Sequence, residues 1–370
     1  MKLIDELGVR RVVNASATLT RLGGSLMPPE VIDAMRDVAD AWIDLEELQA
    51  RVGEEIARIT NNEAAMVVTG AAAGICLAVA AAMVGDDVAA RDRLPVVEDL
   101  RNEVAMYQVH RNGYDVAARM TGARLILVGN NEGASPEDLA SALGPRTACV
   151  LWFQGAMTGR GEPTLDETIA VAKRRGVPVF VDAAAQLPPA SNLWSYTRAG
   201  ADLAIFSGGK DLRGPQASGL VVGARYWIDR MRPLASPNSA IGRPMKVGKE
   251  ETAGLLAAVR RYLALDHEAL REREEAIVAQ WCRQLASLPE IRIRRDWPNE
   301  AGQPSPRARI DCIAKVASQA LVAELWNADP RVAVGHDGDS IYLNPMTVAD
   351  DEVELVARAI AEAWARLANP

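Results

Sequence analysis

Histidine and cysteine are scarce in this chain of 370 residues, which has three of the first and four of the second. His110, His267 and His336 lie far apart, without the clustered spacing of metal ligands, so no protein-built zinc site is expected. Cys76, Cys149, Cys282 and Cys312 stand singly in apolar surroundings, with no C-x-x-C pair. That excludes a dithiol redox motif and a disulfide framework, and it suits free thiols in a reducing cytoplasm. Long apolar runs are missing as well. Met1 to Val13 is charged throughout, so no signal peptide or membrane span is expected there, and the Ala-rich run from Ala71 to Val84 is too short to cross a bilayer. Nor is positive charge in excess: 41 Lys and Arg stand against 49 Asp and Glu, a formal net charge of -8. Such a balance argues against a nucleic-acid partner held by bulk electrostatics.

What is present is ample apolar material, 49% of residues, with 24% charged, enough for one large domain and a smaller one. A short helix and connector over residues 1–13 lead to a polar loop, Asn14 to Ser25. Pro28-Pro29-Glu30 opens one or two long amphipathic helices that reach about residue 60, with a stripe broad enough to pack on a second subunit as well as the core. Short apolar strands then alternate with helices. Strands are expected at Ala64–Val68, Leu125–Val128, Ala148–Phe153, Val177–Val181, 201–206 and 219–222, and a helix at Leu100–Val109. Near-continuous apolar strands alternating with helices describe an α/β, mainly parallel, doubly wound sheet buried on both faces. From Glu250 the character changes to a long charged helix up to Ser287, then to strands such as Arg307–Ile313 mixed with helices, a smaller α+β domain. The expected division is 1–45, 46–249 and 250–370.

Three features fall at the carboxyl ends of these strands, where ligands sit in such sheets. Ser207-Gly208-Gly209-Lys210 follows an apolar strand. A lysine desolvated there has a depressed pKa and becomes a nucleophile towards carbonyls, the chemistry of the Schiff base with pyridoxal phosphate, and Ser-x-x-Lys sets a hydroxyl near that cofactor's phosphate. Asp182 ends the strand Val179-Phe180-Val181, with small residues Ala183, Ala184 and Ala185 behind it, where a flat ring could lie against them. A carboxylate so placed suits a protonated pyridine nitrogen; alone, it could equally be a helix cap. Gly70-Ala71-Ala72-Ala73-Gly74 opens a helix whose free N–H groups suit a phosphate, though it matches neither a P-loop nor a dinucleotide fingerprint.

In this order the three resemble the fold type I pyridoxal phosphate enzymes, and more narrowly the bacterial selenocysteine synthase and glucosaminate-6-phosphate ammonia-lyase group. The segments that carry the narrower resemblance are Asn14-Ala-Ser-Ala-Thr-Leu-Thr-Arg-Leu-Gly-Gly-Ser25, the lysine motif Ser207 to Gln216, and Arg243 to Glu251. The resemblance implies that Lys210 binds the cofactor covalently and moves the Cα proton, that Asp182 holds the pyridine nitrogen, and that Ala71, Ala72, Ala73 and Ser207 hold the phosphate. It further implies His110 or Gln108 over the ring face, Ala184 and Gln186 beside the ring, Lys246 near the phosphate, and Asn14, Thr20, Ser25 and Arg213 towards the substrate. Gln186 departs from the histidine many such enzymes have at that place. A homodimer with a shared active site is also implied.

The reaction expected from the resemblance is β-elimination from an amino acid or amino-sugar acid, giving a keto acid and ammonia. Racemisation, aldol cleavage, or a cofactor-binding homologue without turnover remain alternatives. Racemisation needs a second acid/base opposite Lys210, for which His110, Tyr107 or Tyr196 are the candidates. For a phosphorylated substrate Arg21, Arg213, Arg243 and Lys246 are candidates, and equally ordinary solvated charges.

Overall fold

The computed structural model describes residues 2–312 and 318–368. Its elements in chain order are α1 (Lys2–Glu6), β1 (Val12–Ala15), α2 (Pro29–Ala39), α3 (Leu45–Thr60), β2 (Ala64–Val68), α4 (Ala71–Val84), α5 (Val88–Arg93), β3 (Glu103–Tyr107), α6 (Val116–Arg119), β4 (Arg124–Val128), α7 (Pro136–Ala142) and β5 (Thr147–Phe153). There follow α8 (Leu165–Arg174), β6 (Val179–Asp182), α9 (Asn192–Arg198), β7 (Leu203–Ser207), β8 (Gly219–Gly223), α10 (Arg225–Met231), α11 (Lys249–Ala264) and α12 (His267–Leu285). The last are β9 (Ile291–Asp296), β10 (Arg307–Cys312), α13 (Ser318–Asn327), β11 (Arg331–Asp337), β12 (Ser340–Leu343) and α14 (Val353–Ala368). Contacts divide the chain into two compact units, Met27–Leu265 and Met1–Leu26 with Asp266–Pro370.

The larger unit is built on a seven-stranded sheet in the order β2-β8-β7-β6-β5-β3-β4. Its strands run parallel except β8, which is antiparallel to both neighbours. Every residue of β2, β5, β6 and β8 is buried, because helices cover both faces. One apolar core, with Val181, Phe206, Leu255 and Tyr262, lies on one face; the other holds Ile205, Val221 and the inner side of α4. Local signals start the helices where the sequence places them. Asp44 caps α3, Pro29 sits in the first turn of α2, and Ser135–Asp138 and Thr164–Glu167 form capping boxes on α7 and α8.

The smaller unit is a five-stranded mixed sheet, β1-β11-β12-β10-β9, with α12, α13 and α14 enclosing a core around Trp281 and Trp364. Among the described residues no helix is long and apolar enough to cross a membrane.

Several expectations change. Leu100–Val109 is not a helix: β3 occupies Glu103–Tyr107, and a 3-10 turn spans Gln108–His110. A short apolar run reads alike in both conformations, and pairing with β4 and β5 decides it. The charged stretch from Glu250 is two helices, broken where Asp266 accepts the Ala269 N–H and caps α12. Asn14 is the third residue of a strand, β1, which pairs in parallel with β11. Ile313, expected to end a strand, lies outside the described residues. The unit boundaries differ from 45/46 and 249/250 because α11 packs on α2 and α3, and β1 joins the smaller sheet. Lys249 also ties α11 to the end of α2, donating to the Ala39 and Ala41 carbonyls at 2.8 and 2.6 Å.

Candidate active site

The larger unit brings Gly70–Ala73, Asp182 and Lys210 to one edge of the sheet, at the carboxyl ends of β2, β6 and β7. β6 ends on Asp182, which is only 7% exposed. Its Oδ1 accepts the Ala184 N–H at 3.0 Å, and its own carbonyl accepts the Gln154 N–H at 2.9 Å. Burial pushes the carboxyl up to about 6, against the Ala184 hydrogen bond and the field of Lys210, which lower it. Lys210 shows the converse: burial lowers its pKa, and the Asp182 charge raises it. The two side chains therefore sit within each other's field.

Lys210 follows β7 in a loop the backbone ties tightly. The Gly208 N–H donates to the Ser218 carbonyl at 2.9 Å, the Gly214 N–H to the Gly208 carbonyl at 2.8 Å, and the Arg213 N–H to the Lys210 carbonyl at 2.9 Å. The Ser207 N–H reaches the Ala184 carbonyl at 3.3 Å, linking the lysine loop to the segment behind Asp182. Gly208 and Gly209 are required by space. A Cβ on Gly208 would lie 2.1 Å from Ser218 Oγ, and one on Gly209 2.5 Å from Gln216 Cα. Arg213 takes a left-handed φ of 54°, a strained state for a non-glycine residue. Gly208→Ala is expected to destabilise the protein by roughly 1–3 kcal/mol, as overpacking does, read from the midpoint of chemical denaturation; an unchanged midpoint would show that the loop yields freely.

The third part is the start of α4. Gly70, at φ 85°, turns β2 into the helix. Gly219 of β8 presses against this turn, so that a Cβ there would lie 2.5 Å from the Gly70 carbonyl carbon and 2.8 Å from the Ala71 nitrogen. The result is a cradle of backbone N–H groups at the positive end of a buried helix, which suits a phosphate. A carboxylate held up by burial, a lysine held down by it, and this cradle fit pyridoxal phosphate in donor set and charge.

Other expected residues fall elsewhere. His110 is enclosed, with no exposed surface. Its ring meets Tyr107 and Trp152 edge-on, at 5.4 and 4.7 Å between centroids, and its Nε2 lies 3.5 Å from Glu162 Oε1. A side chain surrounded by protein has no face to offer a ring, which corrects its expected role. Gln108, half-buried at the end of β3, donates to Asn131 Oδ1 at 3.1 Å. Gln186 is 6% exposed and turns its amide onto the Ala185 carbonyl. Lys246 and Arg243 are exposed. Asn14, Thr20, Ser25 and Arg21 belong to the smaller unit. There the Asn14 amide closes its own turn, accepting the Ser16 N–H and donating to the Ala17 carbonyl, and the Arg21 guanidinium lies 5.5 Å from the centre of the Trp326 ring.

Two residues on the loop after β5 were not singled out from sequence. Gln154 is bonded through its N–H to Asp182, its Oε1 accepts the Trp152 Nε1–H at 2.8 Å, and its Nε2 donates to Thr158 Oγ1 at 3.4 Å. Glu162 is buried beside His110. Their only sequence signal is position after an apolar strand, shared by many polar loop residues.

The mainly parallel sheet with one antiparallel strand, and the lysine and aspartate at its carboxyl edge, define the fold type I architecture of pyridoxal-phosphate-dependent enzymes. A ureidoglycine-glyoxylate aminotransferase of Bacillus subtilis shares the fold at 13% identity, with a TM-score of 0.65 over 97% of this chain and 94% of that one. The family model of L-seryl-tRNA selenium transferase matches residues 12–290, and the chain belongs to that family of enzymes. It is similar to a 5'-C-glycyluridine monooxygenase-decarboxylase of a Streptomyces species, 35% identical over 96% of this chain and 88% of the relative. It is also similar to the D-glucosaminate-6-phosphate ammonia lyase of Salmonella typhimurium, 29% identical over 97% of each. A solved D-glucosaminate-6-phosphate ammonia-lyase superposes with a TM-score of 0.86 at 28% identity, covering 99% of both chains.

Proposed function

We propose that this protein is a pyridoxal-phosphate-dependent lyase acting on an amino acid or amino-sugar acid with a β-hydroxyl, which leaves as water together with the Cα proton; the enamine released takes up water to give a keto acid and ammonia. The observation that carries the reading is the shared field of Lys210 and Asp182 beside the Gly70–Ala73 helix start. The cofactor, when bound, supplies an electron sink for the charge left at the substrate Cα. Ala71, Ala72, Ala73 and Ser207 would hold its phosphate. Asp182 would pair with its ring nitrogen, Ala184 would support the ring, and Gln108 and Gln154 would stand near it at the β3 and β5 ends. Lys210, its pKa lowered by desolvation, takes the Cα proton on its Nζ. Arg213, on the same loop, faces the substrate.

Racemisation loses its candidates for a second base. Burial pushes the Tyr107 hydroxyl, bonded to Thr168, up to about 12, and pushes Tyr196 up as well, while His110 is enclosed. A second reading, an oxygen-dependent decarboxylation of an amino acid, is favoured by the higher identity of the Streptomyces relative. The acidic net charge of -8 supports a small-molecule substrate. Buried thiols at Cys76 and Cys149, raised by burial, support a reducing cytoplasm. A homodimer is supported by Trp42, which is fully exposed in the turn between α2 and α3.

Amino acids and amino-sugar acids, free and phosphorylated, would be incubated with the holoenzyme with and without oxygen. Keto acid and ammonia in both conditions support the lyase. Carbon dioxide with oxygen uptake selects the decarboxylase, and an inverted enantiomer would overturn both.

A further inference from the structure

Glu162 is a carboxylate that the proposed reaction does not use, yet its side chain is only 2% exposed. Burying a charge is costly unless it is bonded, and Glu162 is bonded to its own loop. It accepts the Gly159 N–H at 2.6 Å on Oε1 and the Arg160 N–H at 2.8 Å on Oε2. Burial raises its pKa, but those N–H groups, its own backbone and His110 outweigh burial and hold the carboxyl below its ordinary range. His110 Nε2 lies 3.5 Å from Oε1, and neither of its ring nitrogens has a hydrogen-bond partner among the described residues; because a carboxylate can only accept, a proton on Nε2 would face it. Burial lowers the pKa of that imidazole, the Glu162 charge opposing and the Arg160 charge assisting.

The loop so gathered leads to the site. Its first residue, Gln154, bonds the Asp182 backbone, and the Trp152 indole that fixes the Gln154 amide packs edge-on against His110. Thr158 closes the next turn on the Gly155 carbonyl, and the Gly161 carbonyl takes the Ala134 N–H from the far side. We infer that Glu162, backed by His110, is a positioning residue that holds the Gln154–Gly161 loop in the conformation which sets the Gln154 amide and the Asp182 backbone. It acts through Asp182 and touches no reacting atom. The inference rests on the cofactor reading proposed above.

The test titrates purified protein with pyridoxal phosphate, following the visible band across pH, for wild type, Glu162→Gln and His110→Gln. Gln has one acceptor oxygen where Glu162 uses two, so one loop N–H is released. Glu162→Gln is expected to weaken cofactor binding roughly tenfold, as loss of outer supports does elsewhere, and to move the pH midpoint of the band. His110→Gln shifts both in the same direction by less, and carries the test if Glu162→Gln does not fold. Unchanged affinity and midpoint in both variants, with amide exchange at Gly159 and Arg160 faster than in wild type, would overturn the inference. A wild type with no band at all would overturn the cofactor reading instead.

Discussion

Replacing Lys210 with alanine is expected to abolish the lysine-linked visible absorbance of the holoenzyme and to lower turnover by at least a hundredfold to ten-thousandfold, the range a positioned proton-transfer group supplies. Two roles disappear together. The covalent link to the cofactor needs an uncharged amine, and burial of Lys210 on the loop after β7 lowers its pKa in that direction. The Cα proton needs an acceptor on the same side, and Lys210 stands on a loop pinned by Gly208 and Gly214. Borohydride treatment followed by peptide mapping checks the assignment. Pyridoxyl found on a lysine other than Lys210, or a band that survives Lys210→Ala, would remove Lys210 from the centre of the site.

Asp182→Asn is the second large effect, and it separates charge from shape. Asparagine can keep the Ala184 N–H contact made at 3.0 Å, but it cannot pair with a protonated ring nitrogen. Turnover is expected to fall roughly a hundredfold or more, comparable to losing one preorganised electrostatic partner, with weaker cofactor affinity. Near-normal turnover would make Asp182 a cap of its own turn and nothing more.

The same substitution has a signature in the apoprotein. The folded carboxyl titrates near 6 instead of at its ordinary 3.8, so the folded state binds the proton more tightly than the unfolded chain. The stability this contributes is fully present below the unfolded value and is lost as pH rises through the folded one. Between pH 4 and 7 wild type should therefore lose stability relative to Asp182→Asn, and saturating pyridoxal phosphate should cancel the difference by giving the carboxylate a cation. Parallel melting curves for the two proteins across that range would show the Asp182 effect to be absent.

The candidate centre was legible in sequence because each part is a local pattern with a local cause. A lysine after two glycines, an aspartate closing an apolar strand, and a small-residue turn opening a helix each state their own backbone requirement. Strand alternation then sends all three to one edge of a sheet, since parallel strands joined by helices share a carboxyl end. The identity of β3 was not legible, because an isolated apolar run from Val104 to Tyr107 has no period that favours strand over helix until β4 and β5 pair with it.

By itself, then, the sequence determined the α/β class, the alternation, and the three motifs at the carboxyl edge, all matters of hydrophobic period and turn chemistry within a few residues. Only the tertiary structure decided which side chains are shut in. It buried His110 between Tyr107, Trp152 and Glu162, spent the Asn14 amide on its own turn, and joined β1 to a sheet whose next strand lies more than 300 residues further on. Burial and pairing of that kind depend on what packs from distant parts of the chain. The same desolvation that enclosed His110 raised Asp182 and lowered Lys210, and so turned two ordinary charged residues into a candidate reacting pair.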